Sequence, residues 1–291
     1  MYRILFLIFL SSSLVSCNEY QKLLNSTDND VNKYTAAEQY YENGEYRRAN
    51  ALIEQLIPSY RGKPQGERLV FFFANSYFET KLYYSAAIQF ENFIKSYPNS
   101  QRIQEAYFME AKSYYMLSPL YTLDQDDTLT GIDKLQVFIN RFPNSEFVSE
   151  ALELMNDLQN KLEEKDFEIS KQYYTIRDYT SAIKALDNFV ADNPGTIFRE
   201  EALYYKWLSQ FEIAINSIES RIADRVTELE RSLDNFLRKG NTKSILVVSE
   251  IFFSLIGTFK SSLINIVFSL TFMSVEKNLI FFIENYFLIF L

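Results

Sequence analysis

The sequence predicts an all-α fold, a solenoid of about five stacked helix pairs, and three observations predict it. Apolar residues recur at +4, +7, +8 and +11 from a small residue, in register, in successive stretches of the chain. Those offsets mark one face of an α-helix. Most copies end in a proline, which cannot continue a helix. Finally, seven Gly and six Pro in 291 residues leave little room for the tight turns of a many-stranded sheet.

From the N-terminus, Met1-Tyr2-Arg3 carries one charge, Ile4 to Leu10 is uninterruptedly apolar, and Ser11-Ser12-Ser13 follows. This is the layout of a secretory signal peptide, and the apolar run is far shorter than the ~20 residues a membrane span needs. The leader ends in Leu14-Val15-Ser16-Cys17, with the only cysteine of the chain. That ending resembles the bacterial lipobox. The resemblance implies that residues 1–16 are removed and that Cys17 carries covalent lipid, the one attached group expected. Several acyl chains anchor stably where one does so marginally. Residues 17–33 then read as a polar lipidated tether.

The repeats occupy 34–239. The clearest copy is Tyr83, Ala86, Phe90, Phe93, Ile94, Tyr97 and Pro98. Gly131, Leu135, Phe138, Ile139, Phe142 and Pro143 keep its offsets, as do Tyr179, Ala182, Leu186, Phe189, Val190, Asn193 and Pro194. An earlier, weaker copy runs from Tyr46 through Ala49, Ile53, Leu56 and Ile57 to Tyr60, and a fifth begins at Leu229, Leu233, Phe236 and Leu237 and stops. Ala106, Ala151 and Ala202 each lie eight residues beyond a closing proline, on a second amphipathic helix. Ala37-x-x-Tyr40, Ala74-x-x-Tyr77 and Ser170-x-x-Tyr173 each sit 12 residues ahead of a small residue. This phase resembles the tetratricopeptide repeat, whose units cannot bury their apolar faces alone and therefore stack. The spacings of 37, 45, 51 and 47 exceed that family's ~34, and Phe93, Phe138, Phe189 and Phe236 stand where it prefers Ala.

Composition excludes several functions. A net charge of -9 supplies no basic face for nucleic acid. Histidine is absent and cysteine is single, which removes the usual general base, the thiolate metal cluster and every His-containing triad. No residues are nominated as catalytic or metal-binding, and the chain reads as no enzyme. Asp124, Asp126 and Asp127 lack the Gly and terminal Glu of a calcium loop and read as solvated acid. Glu163 to Asp166 reads as a wet helix face and Trp207 as core. Arg221, Arg225 and Arg231 alternate with Asp224, Glu228 and Glu230 as salt-bridged surface.

Three further segments sharpen the family. They are Ser118-Pro119 with Leu123-Asp124-Gln125 and Thr128; Lys165-Asp166-Phe167-Glu168 ahead of Tyr173-Tyr174; and Ala214, Asn216, Ser217 and Arg225. With the leader and repeats they resemble the BamD family of outer-membrane β-barrel assembly lipoproteins, over roughly 17–239. The resemblance implies a lipid-anchored protein on the periplasmic face of the outer membrane. It would be a non-catalytic scaffold bound to a BamA-like barrel subunit and its periplasmic domains, handling unfolded outer-membrane proteins. Tyr40, Tyr41, Tyr77, Tyr114 and Tyr115 are candidates for a peptide or partner groove, the alternative for each being inter-helix packing. The rival family reading is another periplasmic repeat lipoprotein that coordinates cell-envelope or cell-wall synthesis.

Residues 240–291 break the pattern. Gly240-Asn241 replaces the expected aromatic and proline, and composition shifts to Phe, Ile, Leu, Ser and Asn. A membrane hairpin, an interfacial segment and out-of-frame translation compete, and the abrupt break inside a repeat favours the last.

Overall fold

The computed structural model describes residues 19–26 and 30–218, together with scattered positions between 220 and 232. The leader, Cys17, Phe236 and the 240–291 tail lie outside the described residues. Among those described there are helices and turns and no strand.

The chain divides into two compact units, Met1–Leu162 and Glu163–Leu291. The first holds a short helix over 19–25 (α1), then α2 (Asp30–Glu42), α3 (Tyr46–Tyr60), α4 (Pro64–Glu79), α5 (Tyr83–Ser96), α6 (Ile103–Leu117) and α7 (Asp126–Arg141). The division falls within α8 (Val148–Thr175), and the second unit continues with α9 (Tyr179–Asp192) and α10 (Arg199–Ile215). From α2 to α7 each helix packs on its chain neighbour, and α9 packs on α10. This is the all-α, paired-helix repeat architecture expected. The fifth pair is represented by α10, and the fifth sequence copy, Leu229, Leu233, Phe236 and Leu237, lies outside the described residues.

The repeat phase has a direct physical counterpart. Ala37, Ala49, Ala74, Ala86, Ala106, Ala151, Ala182 and Ala202 are wholly buried, so each small residue sits where two helices cross. Gly131 takes that place in α7: a Cβ there would stand 2.9 Å from Leu158 Cδ1. Phe90, Phe93, Leu135 and Phe138 are likewise inaccessible. Phe71 stands edge-on to Phe90 and Phe93, at 5.7 and 5.4 Å, and Phe108 lies 5.6 Å from Phe138. In the second unit Phe167 packs with Leu186, Phe189 and Ala202. Trp207, expected in the core, is 6% exposed.

Proline ends α5, α7 and α9 as predicted, one residue earlier than the ring itself. The caps Tyr97, Phe142 and Asn193 have φ of -131°, -130° and -121° with ψ of 59°, 59° and 70°, outside the helical region that proline disfavours for the residue before it. After each proline a hydroxyl resets the chain. Ser100, Ser145 and Thr196 accept from the amides of Arg102, Phe147 and Phe198, at 3.0, 3.5 and 3.2 Å. Pro58 differs, lying inside the last turn of α3, which turns instead through Gly62 at φ +78°.

Part of the expected tether is packed. Tyr20, Leu23 and Leu24 of α1 lie against the first unit's core, and the Tyr20 hydroxyl donates to the Arg48 carbonyl at 3.3 Å. Lys33, 6% exposed, donates to the Gln55 side chain at 2.7 Å and the Leu24 carbonyl at 3.3 Å. The physical reason is apolar periodicity: 20, 23 and 24 share one helical face.

Candidate interaction surface

The five tyrosines nominated for a groove are each partly buried and engaged with neighbours. Tyr40 stands edge-on to Tyr20 at 5.4 Å, beneath the Arg48 guanidinium. Tyr41 stacks on Phe72, centroids 3.8 Å apart, while its hydroxyl accepts from Asn75 at 2.7 Å. Tyr77 packs edge-on to Phe73 at 4.9 Å. Lys134 Nζ lies 5.9 Å from the Tyr114 ring centroid, and Tyr115 donates to Asp157 at 2.9 Å. Burial raises the phenols of Tyr41, Tyr77, Tyr114 and Tyr115, so they remain neutral donors. Four of the five contacts are between helices, and the Tyr77–Phe73 contact lies within α4. They leave parts of the rings at the surface.

Three of the tyrosines also close their helices. In the α2–α3 turn, Gly44 N–H donates to the Tyr41 carbonyl and Glu45 N–H to that of Tyr40, at 3.0 and 2.8 Å. Lys81 and Leu82 repeat this on Phe78 and Tyr77 between α4 and α5, and Arg177 and Asp178 on Tyr174 and Tyr173 between α8 and α9. This paired pattern is a Schellman closure, and it needs a left-handed residue. Gly44, Lys81 and Arg177 supply it, at φ of 77°, 62° and 65°.

The α6–α7 connection abandons that closure, because Pro119 supplies no amide. The residues singled out in sequence, Ser118, Gln125 and Thr128, form a polar network instead. Gln125 is 7% exposed and Thr128 not at all. Lys161 donates to Ser118 Oγ at 2.8 Å, and Ser118 and Thr128 share a hydrogen bond of 2.7 Å. Thr128 Oγ1 donates to Gln125 Oε1 at 2.8 Å, and Gln125 Nε2 donates to the carbonyls of Leu120 and Leu123, at 2.9 and 3.0 Å. A hydroxyl has one proton. Thr128 spends its own on Gln125, so Ser118 must donate to Thr128 and accept from Lys161. The bonds therefore run one way, from ammonium to loop carbonyls. Asp124 stays at the surface and accepts from the Asp126 amide at 3.0 Å.

The loop so held turns apolar side chains outward. Leu120, Leu123 and Leu129 are 73%, 57% and 54% exposed, with Met116 at 42%. Sequence reasoning flagged the loop's polar residues without giving them work, and it missed Lys161. One signal was available: Thr128 shares a helical face with Gly131, Leu135 and Phe138, a polar residue in an apolar phase.

On the same pair of helices Lys134 bonds the nearly buried Glu110 at 2.5 Å. Burial pushes the Glu110 carboxyl up, against the pull of its lysine. In the second unit Lys171 bonds Glu168 and Glu201, at 2.9 and 3.4 Å, and lies over Phe167 and Tyr205. Arg225 donates to the Ile213 carbonyl at 3.0 Å and to Ser217 Oγ, capping the end of α10. Among the described residues no group of acids could hold a metal ion, and no helix is long and apolar enough to cross a membrane.

Comparison with known proteins adds a family. The family model YfiO, described as outer membrane lipoprotein, matches residues 26–225. That is more than half of the chain, and the chain belongs to this family. No curated protein matches it. A solved Podospora anserina kinesin light chain structure with nearly identical TPR-like repeats covers 74% of this chain and 100% of its own, at 11% identity and a TM-score of 0.32.

Proposed function

We propose that this YfiO-family chain is a non-catalytic scaffold of the outer-membrane β-barrel assembly machinery, held at the periplasmic face by lipid on Cys17. The single observation that carries the reading is the family match over 26–225, which takes in every repeat described. The repeats support it as a binding protein: stacked helix pairs with small residues at crossings and aromatic cores are an architecture that displays side chains for partners. The partners are a BamA-like barrel subunit and unfolded outer-membrane proteins.

Affinity purification of the full chain from detergent-solubilised envelope tests the reading. Co-purification of a barrel subunit with periplasmic domains is the expected result. Recovery of cell-wall synthases in its place would transfer the chain to the rival class of envelope lipoproteins. Separately, Cys17→Ser should move the protein from the membrane to the soluble fraction, and retention at the membrane would remove the anchor from the proposal.

A further inference from the structure

We propose that the α6–α7 loop, residues 118–129, is a docking surface for a basic, apolar segment of a partner protein. The central geometry is one buried residue, Gln125, bonded to the main chain of three exposed leucines, two through its side chain and the third through its main-chain carbonyl. Gln125 bonds the carbonyls of Leu120 and Leu123 through Nε2, and its own carbonyl accepts the Leu129 amide at 2.9 Å. A loop with this many leucines would ordinarily turn them inward. Here the inward positions are filled by the polar network, with Thr128 fully buried and Gln125 nearly so, and the leucines are left 54–73% exposed. Apolar side chains fixed outward in one place mark an interaction site more than scattered ones do.

Charge selects the occupant. Asp124, Asp126 and Asp127 are exposed around the leucines, and from Ser113 to Asp133 the sequence contains no Lys or Arg. The cations flanking that stretch are engaged, Lys112 with Glu150 at 2.7 Å and Lys134 with Glu110. Lys161, which reaches the loop from α8, is bonded to Ser118. An apolar centre flanked by three exposed aspartates complements a segment whose apolar side chains are flanked by Lys or Arg. A lipid surface fits poorly, since an interfacial segment needs cations against anionic headgroups. A second copy of the loop fits poorly too, because it would set three aspartates against three.

The inference names a surface and a chemistry, and it does not depend on which machinery the partner belongs to. A photo-crosslinking amino acid at Leu120, or at Leu129, in the full-length chain in its own envelope tests it, with exposed Gln104 on α6 as the control position. The expected result is an adduct with another polypeptide at about ten times the Gln104 yield, attached next to Lys or Arg. The triple substitution D124N/D126N/D127N should lower that yield about five-fold, as loss of rim charges does, with the melting temperature unchanged. An adduct with lipid, one between two copies, one on a segment without cations, or a yield equal to the control would each overturn the proposal. An acceptable adduct on a protein other than a barrel subunit would leave the docking surface standing while counting against the assembly reading.

Discussion

The α4–α5 turn and the α6–α7 connection do the same job in consecutive repeats, reversing the chain between the two helices of a pair, by opposite means. The first rests on main-chain closure, with one local hydroxyl, Thr80 Oγ1, donating back to the carbonyls of Ser76 and Tyr77 at 2.8 and 3.1 Å. Two amides return to the last turn of α4, and the cost is one residue at positive φ, Lys81. The second uses four side chains and no positive φ, and it spends a longer loop to do so. Main-chain closure asks for no particular side-chain group, only one residue at positive φ, so Gly44, Lys81 and Arg177 can each supply it, the last two under strain. Side-chain closure is specific, since Ser118, Gln125, Thr128 and Lys161 must each present the right group. A repeat that only has to stack can use the general solution. One that must hold a loop in a defined shape needs the specific one.

That contrast can be broken from either side. The largest effect is expected from Gln125→Glu, which turns a carboxylate oxygen on the carbonyls of Leu120 and Leu123. The buried Gln125 amide donor is lost and two carbonyls go unbonded, so urea denaturation should show a loss of about 3 kcal/mol. Thr128→Val keeps the shape but deletes the relay between Ser118 and Gln125, at a cost of about 2 kcal/mol in the same measurement. If either variant melts like the parent, the network does not hold the loop. On the main-chain side, Gly44→Ala must place a Cβ at positive φ and should lose about 1 kcal/mol. Lys81→Gly and Arg177→Gly should do the reverse, each gaining about 0.5 kcal/mol, because relief of the left-handed strain outweighs glycine's added freedom in the unfolded chain. The smallest effect concerns pH. Asp178 follows the Arg177 turn and caps α9, and hydrogen bonds from the Ser181 hydroxyl and amide hold its carboxyl below the usual range. Its contribution is complete above the unfolded carboxylate range and disappears as pH falls through the lowered folded value. Thermal melts of Asp178→Asn should therefore converge with the parent's only at acid pH.

Much of the stack was legible in the residues. The small positions, the phenylalanines at 90, 93 and 138, and the three prolines report their roles through spacing, because a helix face and a proline exit are local properties. The left-handed residues were legible only at Gly44; lysine and arginine give no such sign, and 81 and 177 adopt it because the flanking helices impose the turn. Lys161 was invisible for another reason. It reaches Ser118 across 43 residues, and no local pattern announces so distant a bond. The 19–25 helix was hidden by polar neighbours around its short apolar face. Tyr40 and Tyr77 recur at equivalent helix ends, where their carbonyls accept the closing amides of Glu45 and Leu82.

The one-way run of hydrogen bonds from Lys161 has a consequence for disorder. A ring or chain of hydroxyls ordinarily has two proton arrangements, clockwise and counter-clockwise, and flickers between them as protons do in ice. An ammonium at one end can only give, and two carbonyls at the other can only receive, so here a single arrangement is permitted. The O–H dipoles therefore add along the run instead of averaging away, and the loop's two carbonyl oxygens sit permanently at its receiving end.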